Sequence, residues 1–412
     1  MTGLGCITSL GASREAFVDG LIAGRTGIRP IEDFDVSSAR ARHAGRLSGF
    51  DATKYLPPLK LRRIDAVARV AIAATRDALD DAGFPHNAAG YDGIGVVLGS
   101  FSAGVHATGE YLESYLKGGP AGAPALLFSS TVGNAPASQC GLEYGLRGPN
   151  TTLMHKEASG LSAIAFATHL IRRGKVPVVV AGGADDIYER FYRVHDWFGV
   201  MADSSDPSAG ADAADAAPIA MPFDANRRGF VMGEGGFMLV LEDEESATAR
   251  GARVLAEVLG TSSSSASVAI NAWPEDAVAL VRAMQLALED AGITPDEVDV
   301  VYAAANGTVP LDRVEAAGIR EVFGGRDVPV TSIKGAIGEF GAAGAGSAAA
   351  AILCGRQGAI APTTGFQTPA PDCAVRVVCP TASLPKPDAI ALINSFASGG
   401  TNFSVVLRLI PA

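Results

Sequence analysis

The alternation of short apolar strands with longer apolar helices predicts an α/β protein whose sheet is mainly parallel and covered by helices on both faces. Two observations carry that prediction. Runs with the character of buried strands, at residues 94–98, 176–180, 298–302 and 328–333, are separated by helical patterns. In addition, a strand, a tight small-residue turn and an apolar helix occur at residues 150–173 and again at 328–354, so one design is used in two halves.

Taken in order, residues 2–11 read as a strand end and turn, followed by an amphipathic helix over 14–23. Residues 60–82 form one long helical pattern, with Ile64, Val67, Val70, Ala71 and Ala74 near helical spacing. The strand over 94–98 closes at Gly99-Ser100, and residues 128–139 are rich in Ser, Gly, Pro and Asn and read as a loop. The strand over 176–180 is closed by Ala181-Gly182-Gly183-Ala184-Asp185. An Ala/Asp/Ser loop over 202–217 then leads to the strand 236–241. In the second half a strand starts near Arg253, and its tract 261–265 reads as a flexible loop. Residues 276–291 are helical, 298–302 and 328–333 are strands, and 342–354 form a helix of small residues.

Composition narrows the function. With 412 residues, 48% hydrophobic and 19% charged, the chain has the makings of a large core. No apolar run approaches the roughly 20 residues of a membrane helix, and the start lacks the basic and apolar regions of a signal peptide. Five scattered cysteines point to reduced thiols and a cytoplasmic setting; no metal motif is present, and no cofactor is expected. A net charge of −11 argues against nucleic acid as the main partner. The basic clusters Lys60-Arg62-Arg63 and Arg172-Arg173-Lys175 read as solvated faces, either of which suits an acidic carrier protein.

Several separated motifs resemble the β-ketoacyl synthases of the thiolase superfamily. They are the turn Lys156-Glu157-Ala158-Ser159-Gly160, Pro222-Phe223-Asp224, Gly233-Glu234-Gly235, Lys334 with its glycine-rich follow-on, and Asn394-Ser395-Phe396 with Gly399-Gly400-Thr401-Asn402. Tyr144-Gly145-Leu146-Arg147-Gly148-Pro149 fits the same family. The resemblance implies the thiolase fold, two similar halves stacked as five α-β-α-β-α layers. It divides the chain into residues 1–245, with the former nucleophile turn, and 246–412, with the former histidine positions.

By the same resemblance an active synthase carries a cysteine and two histidines, and all three are replaced. The cysteine position is Glu157. The first histidine falls on Ala304 when counted back from Asp312 and Glu315, which are retained, or on Asn306 when aligned on Gly307-Thr308. The second, five residues after Lys334, is Glu339, and the glycine run beyond it is one residue short. A phenylalanine whose backbone N–H helps form the family's oxyanion hole is Ser398. Glutamate is a poor acyl acceptor, because its product would be a reactive anhydride. Without imidazole at these positions, proton transfer near neutral pH lacks its usual agent. As a carboxylate at a helix N-terminus Glu157 would be worth about 0.3–1 kcal/mol, and the oxyanion-hole N–H groups are its expected partners. Lys334 is expected in a structural ion pair.

Loss of the cysteine resembles the chain length factors of type II polyketide synthases, and residues 309–315 (Val-Pro-Leu-Asp-Arg-Val-Glu) are similar to that subgroup's version of the histidine region. The subgroup usually has glutamine where this chain has Glu157. The resemblance implies a non-condensing subunit that pairs with an active ketosynthase, meets the acyl carrier protein, and uses residues 128–139 at the interface. It also places chain-length control on the helix after Gly99-Ser100, at Val105, Thr108 and Leu112, where the lack of aromatic side chains leaves room for a long or linear product. Two other readings stay open: an acyl-thioester hydrolase or lyase using Glu157 and Glu339 as an acid/base pair, and a scaffold homodimer.

Overall fold

A computed structural model describes residues 1–85, 87–204 and 220–412. Two sheets form its frame. The first runs in the order Gly3–Ile7, Gly235–Glu242, Val178–Asp185, Ile94–Gly99, Asn150–Leu153. The second runs Arg376–Val377, Pro329–Thr331, Val300–Tyr302, Ile390–Phe396, Thr401–Leu409, Ala256–Ser265. The strands are parallel where helical crossovers join them, as between Ile94–Gly99 and its neighbours Asn150–Leu153 and Val178–Asp185. Elsewhere they are antiparallel, so the sheets are mixed rather than mainly parallel. The reason is local: Ile390–Phe396 and Thr401–Leu409 are joined by only the turn 397–400, and a parallel pair needs a crossover of a dozen residues or more.

The period-2 alternation of each strand sorts its side chains between layers. Val96, Leu98, Val180 and Val240 face the outer helix Ala66–Asp81, whereas Val97, Val179, Ala181 and Leu239 face inward. In the second sheet Val301, Leu392 and Val406 pack outward with the helices Val278–Ala291 and Val309–Val322. Tyr302, Ile393 and Val405 turn inward. Between the sheets lie two buried helices, Ser159–Arg172 and Ala343–Arg356. The result is the five-layer α-β-α-β-α thiolase fold. The central layer is thin because its helices are built of small residues: a Cβ on Gly346 would sit 2.6 Å from the Phe237 ring.

Several boundaries differ from the sequence reading, each for a physical reason. The pattern over 60–82 is two helices, Pro58–Leu61 and Ala66–Asp81, because the Asp65 carboxylate caps the second by accepting from the Ala68 N–H at 2.8 Å. The tract 261–265 is not a loop but the end of the strand Ala256–Ser265, paired with Thr401–Leu409. Its serines suit a sheet lying under a helix, since the Ser262 and Ser264 hydroxyls donate to the carbonyls of Ala283 and Ala279. Residues 128–139 end in helix Ala135–Tyr144, whose Ala137 and Cys140 are buried. The strand expected to close at Val180 runs to Asp185, its glycines admitting close neighbours; a Cβ on Gly182 would lie 1.9 Å from the Phe237 carbonyl oxygen. Most of the loop 202–217 lies outside the described residues. Among the described residues no helix is long and apolar enough to cross a membrane.

The central layer sets a packing limit. Ala349 is fully buried there, so Ala349→Leu should cost about 1–3 kcal/mol by overpacking. A fall in the urea midpoint checks this; an unchanged midpoint would show a looser layer.

Candidate functional site

The ends of the two buried helices meet at one point. The turn Lys156–Ala158 delivers the chain into the Ser159–Arg172 helix, with Lys156 at φ +50°, a region costly for a residue with a Cβ. Ser159 holds the turn: its hydroxyl accepts from the His155 N–H at 2.9 Å and lies 2.6 Å from the Lys156 carbonyl. The Gly160 N–H donates to the Gly341 carbonyl at 2.8 Å, which ties the turn to the start of the other helix.

Glu157 is only 7% exposed. Its carboxylate accepts from the Ser398 N–H at 3.1 Å and from the Ser398 hydroxyl at 2.9 Å. Its carbonyl accepts from the Ser395 hydroxyl at 3.0 Å. The Lys156 ammonium donates to the Ser398 hydroxyl oxygen at 3.1 Å and to the Asn271 amide oxygen. Lys156, Glu157 and Ser398 thus form one polar chain across the two halves, and the partners of Glu157 come from the opposite loop.

Glu339 is fully sequestered. The Lys334 ammonium donates to its Oε2 at 2.6 Å, the Asn306 amide donates to the same oxygen at 2.8 Å, and the Phe340 N–H reaches Oε1 at 3.1 Å. Burial pushes the Glu339 carboxyl up to about 7, opposed by Lys334 and aided by the charge on Glu157. The Lys334 ammonium also donates to the Ala304 carbonyl at 2.9 Å, so Lys334 is an ion-pair member.

Of the two candidate positions for the first histidine, Asn306 has its side chain in the site, while Ala304 contributes its main chain. Asp312 and Glu315 brace this segment from below. Glu315 accepts from the Ala304 and Ala305 N–H groups at 2.9 and 2.7 Å, and Asp312 from the Asn306 N–H at 3.0 Å. Burial raises these carboxyls to about 7 and about 6, respectively.

A cavity of about 620 Å³ opens from the surface onto Glu157, Asn306 and Ser398. Its wall includes Phe198, Phe230, Trp273 and His195, none of which the sequence marked as site residues. The His195 Nδ1 lies 2.8 Å from the Phe191 carbonyl, and burial holds its imidazole below the usual range. Behind Glu157, between Phe101, Phe191, Phe340 and Glu339, only about 20 Å³ remains, on the order of one water. Val105, Thr108 and Leu112 share a helix, Val105–Gly118, but do not line the Glu157 cavity. Thr108 donates to the Thr131 carbonyl at 3.1 Å, and Leu112 is half exposed beside Tyr115 and Leu116. Among the described residues no group of His, Cys, Asp and Glu is placed to hold a metal ion.

The family model "Beta-ketoacyl synthase, N-terminal domain" matches residues 1–247, and "Beta-ketoacyl synthase, C-terminal domain" matches residues 255–367. The chain belongs to the β-ketoacyl synthase family. Within the family it is similar both to 3-oxoacyl-[acyl-carrier-protein] synthases and to polyketide synthase subunits. It is 30% identical over 411 residues to the 3-oxoacyl-[acyl-carrier-protein] synthase 2 of Synechocystis sp., covering 99% of this chain and 97% of that one. To the tetracenomycin polyketide synthase ketoacyl synthase beta subunit of Streptomyces glaucescens it is 33% identical, covering 99% and 97%. Among solved structures, the ishigamide ketosynthase/chain length factor superimposes with a TM-score of 0.89 at 30% identity, covering 99% and 98%.

In this synthase-family site the buried ion pair can be tested by separating its members. Lys334→Met strands the Glu339 charge and should cost about 3–5 kcal/mol, whereas Lys334→Met with Glu339→Met should recover most of that loss. Urea unfolding of the two variants checks this. Equal losses would mean that packing, and not the charge, is what counts.

Proposed function

We propose that this chain is a non-condensing ketosynthase-like subunit, a chain length factor, which pairs with an active ketosynthase and helps set polyketide length through a tunnel at their interface. The observation that carries the reading is the state of the nucleophile position. The Glu157 carboxylate sits on the Ser398 donors, so the position offers no thiol to bear an acyl group. In this reading the growing chain is borne covalently by the partner ketosynthase. The positions expected to carry histidine are Ala304, or Asn306 in the shifted alignment, and Glu339, so both lack an imidazole.

The surface supports a protein partner. Leu112, Tyr115, Leu116, Leu126, Phe128 and Val132 are all at least 43% exposed in the helix Val105–Gly118 and the segment that follows it. Large apolar side chains exposed along one stretch of chain are the kind of surface that can mark a protein contact. It coincides with the region where the family resemblance places the interface and Val105, Thr108 and Leu112. The names of the polyketide relative and of the ishigamide structure suit a paired subunit, and that of the 3-oxoacyl-[acyl-carrier-protein] synthase suits an acyl carrier protein as the bearer of the chain. The setting in this reading is the cytoplasm.

The hydrolase alternative has against it that Glu339 is engaged by Lys334, Asn306 and the Phe340 N–H rather than paired with Glu157. A homodimer would cover the same apolar face with a second copy.

Two experiments separate these readings. Co-expressed with the ketosynthase it serves, the chain should elute as a heterodimer; a stable monomer or homodimer indifferent to that partner would refute the pairing. Within the heterodimer, Val105→Phe or Leu112→Trp should shorten the product by at least one extension unit while the complex persists. An unchanged length from intact complexes would remove these residues from the tunnel.

A further inference from the structure

The helix Val105–Gly118 presents Leu112, Tyr115 and Leu116 to solvent, and of its 14 residues only Ala107 is buried. Apolar packing therefore does little to hold it. Its ties to the core are polar and aromatic instead. In its first turn the His106 ring stacks face to face on Tyr188, with the centroids 4.3 Å apart. A Cβ on Gly109 would stand 2.8 Å from the same tyrosine, so Tyr188 lies close against the helix. Further along, Glu113 accepts from Arg190.

Both nitrogens of His106 meet carboxylates. Nδ1 lies 3.2 Å from Oδ2 of Asp186, just past the strand Val178–Asp185, and Nε2 lies 3.3 Å from Oε1 of Glu110. A carboxylate only accepts, so each nitrogen carries a hydrogen and the ring is an imidazolium. Asp186 depends on it: the residue is 7% exposed, and its carboxylate has no other hydrogen bond among the described residues. Asp65 faces the pair from the start of the helix Ala66–Asp81, and Arg62, Arg63 and Arg69 line the same cleft. Arg69 is committed to the carbonyls of Leu61 and Ile64. The hydrogen bond to Asp186 raises the imidazole above its ordinary range against the opposing effect of burial, and Glu110 adds to the rise. A helix N-terminus disfavours a cation, so it is the carboxylates that hold the charge there.

We propose that His106 is a charge latch, which fastens the first turn of the helix Val105–Gly118 to Asp186 and is released as the pH rises. A neutral ring donates through one nitrogen, so Asp186 and Glu110 can no longer both be served. The buried Asp186 charge then loses its cation, and a helix with so little apolar anchorage opens from this end. The latch's stabilisation is complete below the unfolded-state value of about 6.5 and is lost as the pH climbs through the raised folded-state value. This is separate from the pairing and length-control roles proposed above, and no partner enters its test.

Hydrogen exchange of the chain alone, read by mass spectrometry from about pH 6.5 to about pH 9 and corrected for intrinsic rates, tests the latch. Protection of residues 105–118 should fall about tenfold or more over that range, the loss of a charged hydrogen bond. Protection of the helix Ser159–Arg172 should stay level. His106→Phe keeps a ring against Tyr188 but carries no charge, so its 105–118 segment should be weakly protected and level throughout. Level protection in the wild-type chain overturns the proposal. So does the same fall in His106→Phe, which would assign the titration to another group such as Asp65.

Should His106→Phe fail to fold, the wild-type ring answers directly. Its nitrogen resonances, assigned through the exposed Glu110→Gln change, should show both nitrogens protonated at neutral pH. A neutral His106 ring under those conditions overturns the proposal equally.

Discussion

Close packing of two buried helices is the constraint on which the rest depends. Ser159–Arg172 and Ala343–Arg356 can lie between the sheets only because small residues line both, and a Cβ on Gly160 would already stand 2.9 Å from the Ala342 carbonyl oxygen. That approach brings the Lys156–Ala158 turn, the Glu339–Gly341 passage and the Ser395–Ser398 loop to one point, although they lie far apart in sequence. A bulkier helix would thicken the layer and pull the turn off its partners. Packing of the small residues therefore holds these three segments together at the site.

The replacements obey electrostatics. A carboxylate cannot be buried bare. Glu339 is balanced by Lys334 and by the Asn306 amide, and Glu157 by the Ser398 hydroxyl and N–H, with Lys156 one bond further on. Each substitution is thus matched by a donor on another element. Glu157 with Ser398, and Glu339 with Asn306 and Lys334, form two satisfied polar clusters. Each carboxylate oxygen of Glu157 and Glu339 thus accepts at least one hydrogen bond.

Much of this was legible in the sequence. Glu157 stood out because its flanking Ala158-Ser159-Gly160 retained the shape of a nucleophile turn. The spacing from Lys334 located Glu339, and the two sit together as an ion pair. Other features had no one-dimensional signal. Which of Ala304 and Asn306 presents its side chain to the cavity is a matter of local pleat and turn, and it is Asn306. The serines of 261–265 look like loop residues until a helix lies across them to accept their hydroxyls. His195, Phe198 and Trp273 reach the cavity from segments that carry no motif, so only tertiary structure brings them there.

The central claim is that this chain takes part in synthesis without itself bearing the acyl group. The most direct measurement is intact-protein mass spectrometry of the reconstituted heterodimer after incubation with malonyl and starter thioesters of the acyl carrier protein. The account predicts acyl mass on the ketosynthase alone, with this chain at its unmodified mass throughout turnover. An acyl adduct on this chain, mapped to Glu157 or Ser398, would contradict it.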